Sequence, residues 1–209
     1  MAHEKIIEEV GNYYAEKVQV HGATPQGVDW NGEASQHLRF QQLCRIMGSN
    51  TAYSVLDYGS GFGSLYGYLQ AQGHQVQYTG FDIADDMLAK GRELYGQHNG
   101  LHWVNDLNQA QPADYCVASG IFNVRLKNTD AAWQAYITDT LATMHQYSHR
   151  GFAFNVLTKY SDAPYMRDYL YYADPAWLFD HCKRHYSRHV ALLHDYPLYE
   201  FTIIVRKDL

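Results

Sequence analysis

Three glycines and two aspartates carry the clearest chemistry in the sequence. The run Val55-Leu56-Asp57-Tyr58-Gly59-Ser60-Gly61-Phe62-Gly63 reads as an apolar strand that ends in an acid and turns through glycines into a helix. Glycine at Gly59, Gly61 and Gly63 lets the backbone approach a ligand closely, and the first turn of the helix adds the positive end of its dipole. Gly80-Phe81-Asp82 ends the next apolar segment. Asp82 falls 19 residues after the last glycine, where a carboxylate is placed to accept hydrogen bonds from a ribose diol. These features suit either a dinucleotide or an adenosyl ligand. The spacing Asp-x-Gly-x-Gly-x-Gly separates them, because Asp57 repels a pyrophosphate but can accept from an ammonium group. A ligand with an α-amino group and a sulfonium, S-adenosylmethionine, fits that electrostatics better than a dinucleotide.

The elements that must position these residues alternate along the chain. Segments 54–58, 75–81, 101–104, 115–118 and 151–157 read as strands, and 65–71, 84–95 and 131–147 as helices between them. Strand alternating with helix predicts a doubly wound, mostly parallel α/β sheet with helices on both faces. The end of the chain departs from this. A helix at 175–186 leads to strands at 189–193 and 200–205 joined through Asp195-Tyr196-Pro197, so the seventh and last strand is expected to run antiparallel. Before the sheet, helical patterns at 3–20 and 34–47 flank a punctuated loop and predict an N-terminal helical lid. The expected organisation is a single domain, 1–209, with a helical cap over 1–48 and the α/β core over 49–209.

Composition narrows the class. With 209 residues, 46% hydrophobic and 18% charged, the chain can bury a core without disulfides or metal. No apolar run approaches the roughly 20 residues that span a membrane, and the charged N-terminus lacks a secretory stretch, so a cytoplasmic protein is expected. The net charge of −6 argues against nucleic acid, since Lys183-Arg184-His185 with Arg188 is the densest basic cluster. The cysteines Cys44, Cys116 and Cys182 are odd in number and far apart, which disfavours both a disulfide framework and a cysteine-based zinc site. His181, His185 and His189, like His145 and His149, recur every four residues, but no carboxylate accompanies them at ligand spacing, so no metal is expected.

On the residues quoted above, segment 54–123 with the antiparallel ending at 189–206 resembles the class I S-adenosylmethionine-dependent methyltransferases. The resemblance implies that the Gly59-Gly61-Gly63 loop holds the methionine part of S-adenosylmethionine and Asp82 the ribose hydroxyls. It also implies that Ile83 and Met87 pack on the adenine, that Asp106-Leu107 meets the adenine amino edge, and that Ser119-Gly120 borders the reactive methyl. Nucleic-acid enzymes of this superfamily that methylate amino groups carry an acidic or amide residue followed by Pro-Pro-aromatic after strand four. Here Asn123 is followed by Val124-Arg125, which counts against a nucleobase.

Ligands in open α/β sheets bind beyond the carboxyl ends of the strands. Asn123 after strand four, and Asn155, Tyr160, Tyr171 and Tyr172 at and after strand five, are therefore candidates for the acceptor side. The 19 tyrosines suit pocket walls with one polar tip, and the stretch from 158 to 174 is long enough to be functional. Tyr14 and Trp30 are expected to fold over the same opening. Arg39 offers a cation to a cofactor or substrate carboxylate, against the alternative of a surface ion pair. Asn123, Tyr172 and His194 are the candidates for catalysis, His194 and Tyr172 as bases for a protonated nucleophile. The leading expectation is in-line methyl transfer to a small-molecule acceptor. The alternatives are attack of the cofactor's own amino group with release of methylthioadenosine, a non-catalytic cofactor-binding partner protein, and, more distantly, a nicotinamide-dependent oxidoreductase.

Overall fold

The computed structural model describes residues 5–13 and 32–208. The sheet has seven strands: β1 (Ala52–Tyr58), β2 (Gln75–Phe81), β3 (Leu101–Val104), β4 (Ala113–Ala118), β5 (Ser148–Leu157), β6 (His189–Leu193) and β7 (Glu200–Arg206). Their order is β3-β2-β1-β4-β5-β7-β6. The pairs β1–β2, β1–β4, β2–β3 and β4–β5 are parallel, while β7 runs antiparallel between β5 and β6. The order reverses between β1 and β4, which opens the crevice where such sheets take ligands.

The helices are α1 (5–13), α2 (Glu33–Cys44), α3 (Ser64–Ala71), α4 (Asp85–Tyr95), α5 (Asp130–Gln146) and α6 (Pro175–His185). They divide between the two faces. Phe40 and Leu43 of α2, Leu65 and Leu69 of α3 and Leu88 of α4 pack against Val55, Tyr78, Val117 and Ala153 on one face. Ile6 and Val10 of α1, Trp133, Ile137 and Leu141 of α5 and Leu178 of α6 cover Leu56, Cys116, Phe154 and Phe201 on the other. Because both faces are covered, the central strands are apolar almost throughout; β5 is buried from Gly151 to Val156. Among the described residues, no helix is long and apolar enough to cross a membrane.

Helix starts follow capping chemistry. The Thr129 hydroxyl accepts from Ala132 N at 3.3 Å ahead of α5. Asp174 accepts from Ala176 N at 3.0 Å ahead of α6, which opens on Pro175. The expected helix over 34–47 ends earlier, because the chain tightens into a 3₁₀ turn over Arg45–Met47 before Gly48. β5 starts three residues before its expected limit, since α5 closes at Gln146 and the chain enters the sheet within two residues. The stretch after β5 is more ordered than its lack of periodicity suggests. A 3₁₀ turn at Ala163–Tyr165 and bridges Val124–Leu170 and Thr158–Ala173 tie it down. Of the expected lid, 5–13 is helical and lies on the core; Tyr14, Trp30 and the loop between them lie outside the described residues.

Candidate active site

The turn after β1 is fixed from its backbone outward. Gly59 N and Ser60 N both donate to the Phe81 carbonyl, at 2.8 and 2.9 Å, locking the turn to the end of β2. Gly61 N donates to Asp82 Oδ2 at 2.8 Å, and Ala84 N donates to Asp82 Oδ1 at 3.0 Å. A carboxylate can take about four hydrogen bonds, so Asp82 keeps acceptor capacity beyond these backbone partners. Gly59 and Gly63 have φ of 79° and 83°, which L side chains resist. A Cβ would come within 2.4 Å of Ile121 at Gly59 and within 2.3 Å of the Trp103 ring at Gly63. Sterics on both sides demand glycine there, independently of any ligand.

The two aspartates differ. Asp57 is buried, and its Oδ2 accepts from the Tyr78 hydroxyl at 2.5 Å. Burial pushes its carboxyl up to about 7; the Tyr78 hydrogen bond opposes that rise and the nearby Asp82 charge adds to it. Burial also raises Asp82, held back by the backbone N–H groups of Ala84, Gly61 and Ile83.

These groups line one cavity, of about 1090 Å³ including its open mouth. Phe81, Ile83 and Met87 form an apolar wall beside Asp82, and Ser119, Gly120 and Ile121 form the opposite rim beyond β4. Helix α1 contributes Ile7, Val10 and Gly11, and α2 contributes Gln36 and Phe40. A Cβ on Gly11 would lie 2.8 Å from Ile83 Cδ1, so the glycine lets α1 come down on that wall.

Comparison with known proteins places this geometry. No protein-family model matches the chain. A Mycobacterium tuberculosis protein described as a candidate methyltransferase is 50% identical over 163 residues, covering 78% of this chain and 98% of that protein. The chain belongs to the class I methyltransferase family. Solved structures share the fold at much lower identity. Human N-acetylserotonin methyltransferase in complex with S-adenosylmethionine matches with a TM-score of 0.69 at 11% identity, over 99% of this chain and 60% of that one. The Burkholderia thailandensis 1,6-didemethyltoxoflavin-N1-methyltransferase with 1,6-didemethyltoxoflavin and S-adenosylhomocysteine matches with a TM-score of 0.58 at 20% identity, over 94% and 90%.

Of the expected cofactor residues, Asp57, Gly59, Gly61, Asp82, Ile83, Met87 and Ser119 line this cavity, and Gly63 caps α3. Asp106 and Leu107 are not among the described residues that line the cavity. Asp106 Oδ1 accepts from Asn108, from its backbone N at 3.0 Å and its side-chain nitrogen at 2.9 Å, so the carboxylate caps a 3₁₀ turn. Leu107 packs on the core, and its carbonyl accepts from the Tyr147 hydroxyl.

The acceptor-side expectations scatter more widely. Arg39 makes a buried two-pronged pair with Glu200, Nε–Oε2 at 2.7 Å and Nη2–Oε1 at 2.8 Å. The alternative of a surface pair is corrected: α2 lays Arg39 over the start of β7, and both partners are buried. Asn155 is fully buried and accepts from Gly120 N at 2.8 Å. Asn123 Oδ1 accepts from Leu157 N at 3.0 Å, which commits it to holding β4's exit against β5. Tyr171 is buried with its hydroxyl on Gln134, and Tyr172 accepts from Arg167 N. Tyr160 and His194 are exposed, their rings 6.1 Å apart. None of Asn123, Tyr172 and His194 lies on the cavity wall. Ile7, Val10, Gly11, Gln36 and Phe40 escaped the sequence reading. The i, i+3, i+4 stripe of Ile7, Val10 and Gly11 was their one visible signal.

Proposed function

We propose that this cavity binds S-adenosylmethionine and that the protein transfers its methyl group to a small-molecule acceptor. The observation that carries the reading is one wall: a glycine turn pinned to β2, an Asp82 carboxylate with acceptor capacity left, and Ile83 and Met87 beside it under α1. The donor set fits the cofactor. Asp82 would take the ribose hydroxyls, Ile83 and Met87 the adenine face, and Asp57 with Gly59 and Gly61 the amino acid end. Bound there, S-adenosylmethionine supplies a methyl group on a positively charged sulfur. The chain's own contribution is to orient and to keep the site dry: Ile7, Val10 and Phe40 close the opening from above. Orientation of this kind is worth roughly 7–11 kcal/mol. The toxoflavin-precursor and N-acetylserotonin enzymes of like fold act on small molecules by name, which favours a small acceptor here. Three separated free thiols favour a reducing, cytoplasmic setting.

Calorimetric titration with S-adenosylhomocysteine tests the site. Asp82→Ala is expected to weaken binding by about 1.5–3 kcal/mol, the range for hydrogen bonds to a charged group; unchanged affinity overturns the assignment. Incubation with S-adenosylmethionine alone tests the reaction. Methylthioadenosine well above a no-enzyme blank would make the cofactor itself the substrate and remove methyl transfer.

A further inference from the structure

The two ends of the cavity offer different chemistry. Ile83 and Met87, beside Asp82 after β2, make an apolar end under α1. Helix α2 enters from the other direction. Phe40 packs with Val55, Val117 and Ala153 over β1, β4 and β5, and Arg39 reaches Glu200 at the start of β7. One turn before both stands Gln36, only 6% exposed and on the cavity wall. Its side-chain amide makes no hydrogen bond among the described residues, yet it is not sealed from the cavity. A buried amide with neither its donor nor its acceptor used is uncommon and calls for a ligand or an ordered water.

Helix α3 meets α2 at the same corner. The Tyr68 ring centre lies 5.3 Å from that of His37 and 5.6 Å from that of Phe40. Ser64 is one turn before Tyr68 on that stripe, so it faces α2, and it also lines the cavity. No side chain among the described residues caps α3, which leaves the N–H groups of its first turn as donors. The Gln36 –NH₂, the Ser64 hydroxyl and this helix start together favour an anion. Asp57, joined to Ser64 by the glycine turn, gives Oδ2 to Tyr78 and keeps Oδ1 as an acceptor. Donors on one side and an acid on the other match a zwitterion. An anionic group brought beside Asp57 and Asp82 is opposed by both charges, and hydrogen bonds from the donor corner offset that repulsion.

Resting on the cofactor reading above, we propose that Gln36 holds the carboxylate at the amino acid end of S-adenosylmethionine, donating through its –NH₂ beside the Ser64 hydroxyl, while Asp57 faces the ammonium group. Gln36 is then the residue that makes the site select the intact amino acid over an adenosyl compound that has lost its carboxylate. Its neutrality suits the place. A cation there would be drawn to Asp57 and compete with the ammonium group, whereas an amide donates to the carboxylate and leaves Asp57 free.

The test is calorimetric titration of the full chain with three ligands: S-adenosylhomocysteine, its decarboxylated form, and methylthioadenosine, which lacks the whole amino acid end. The wild type is expected to bind S-adenosylhomocysteine about 10- to 100-fold more tightly than the decarboxylated form, the range for hydrogen bonds to a charged group. Gln36→Met keeps the length of the side chain without its donor. It should weaken S-adenosylhomocysteine by about tenfold or more and remove most of that preference, with methylthioadenosine held within about twofold. Gln36→Glu sets a negative charge against the carboxylate and should weaken S-adenosylhomocysteine further, again sparing methylthioadenosine; either variant carries the test if the other does not fold. Unchanged S-adenosylhomocysteine affinity in the folded variants, an equal loss for methylthioadenosine, or equal wild-type binding of S-adenosylhomocysteine and its decarboxylated form overturns the inference. A wild type that binds none of the three would instead overturn the cofactor reading, so the two failures are told apart in one series.

Discussion

On the β1–β2 side of the crevice, the walls come from residues closer in sequence and are held mainly through backbone, Gly59 and Ser60 on the Phe81 carbonyl, with Gly61 N on the Asp82 carboxylate. On the β4–β5–β7 side they are joined by side chains across long stretches of chain. Asn155 reaches Gly120 over 35 positions, Asn123 reaches Leu157 over 34, and Arg39 reaches Glu200 over 161. The first arrangement tolerates almost no change of backbone shape, because a Cβ at Gly59 or Gly63 has no room. The second tolerates changes of shape but not the loss of one partner, because each pair is buried. One side is suited to a fixed ligand, and the other changes only where both partners of a buried pair change together.

The largest effect should come from the second side. Arg39→Met leaves Glu200 charged and only 1% exposed, and is expected to cost about 3–5 kcal/mol in urea denaturation. Adding Glu200→Leu should restore most of that loss, since replacing a whole buried pair by apolar groups is often neutral. If the single variant is as stable as the wild type, the long-range clamp is not what holds α2 to β7.

The first side should show itself through pH. Folded Asp57 keeps its proton up to about pH 7, while an unfolded aspartate loses it near 3.8. The folded chain binds more protons across that interval, so this group's stabilising contribution is full below about pH 4 and is lost as pH rises to about 7. Comparing wild type with Asp57→Asn without cofactor, the wild type's relative stability should fall from pH 4.5 to 7.5. A constant difference would mean that Asp57 ionises freely.

A smaller effect is expected at the neck of the 158–174 stretch. Asp174 caps α6 through Ala176 N and meets Lys159 Nζ at 2.8 Å, beside the Thr158–Ala173 bridge. Asp174→Ala should cost about 1 kcal/mol and leave S-adenosylhomocysteine affinity unchanged. A change in that affinity in calorimetry would show that the two sides are coupled.

What could be read in advance follows the same division. Sequence alone determined the strand–helix alternation, the antiparallel end and the wall from Asp57 to Met87. Apolar period, glycines and acids at strand ends are local signals, and that wall is locally built. It also marked Asn155 after strand five and Arg39 on the second helix as polar candidates, but it did not foresee the buried partner of Arg39. Arg39's partner lies 161 positions away. Tertiary structure alone decided that α1 descends on Ile83 through Gly11, that Glu200 receives Arg39, and that Ser119 Oγ and Asn155 Nδ2 remain buried together. Those facts depend on which strands pair and which helix covers which face, and a hydrogen bond between distant residues leaves no periodic trace in the chain that makes it.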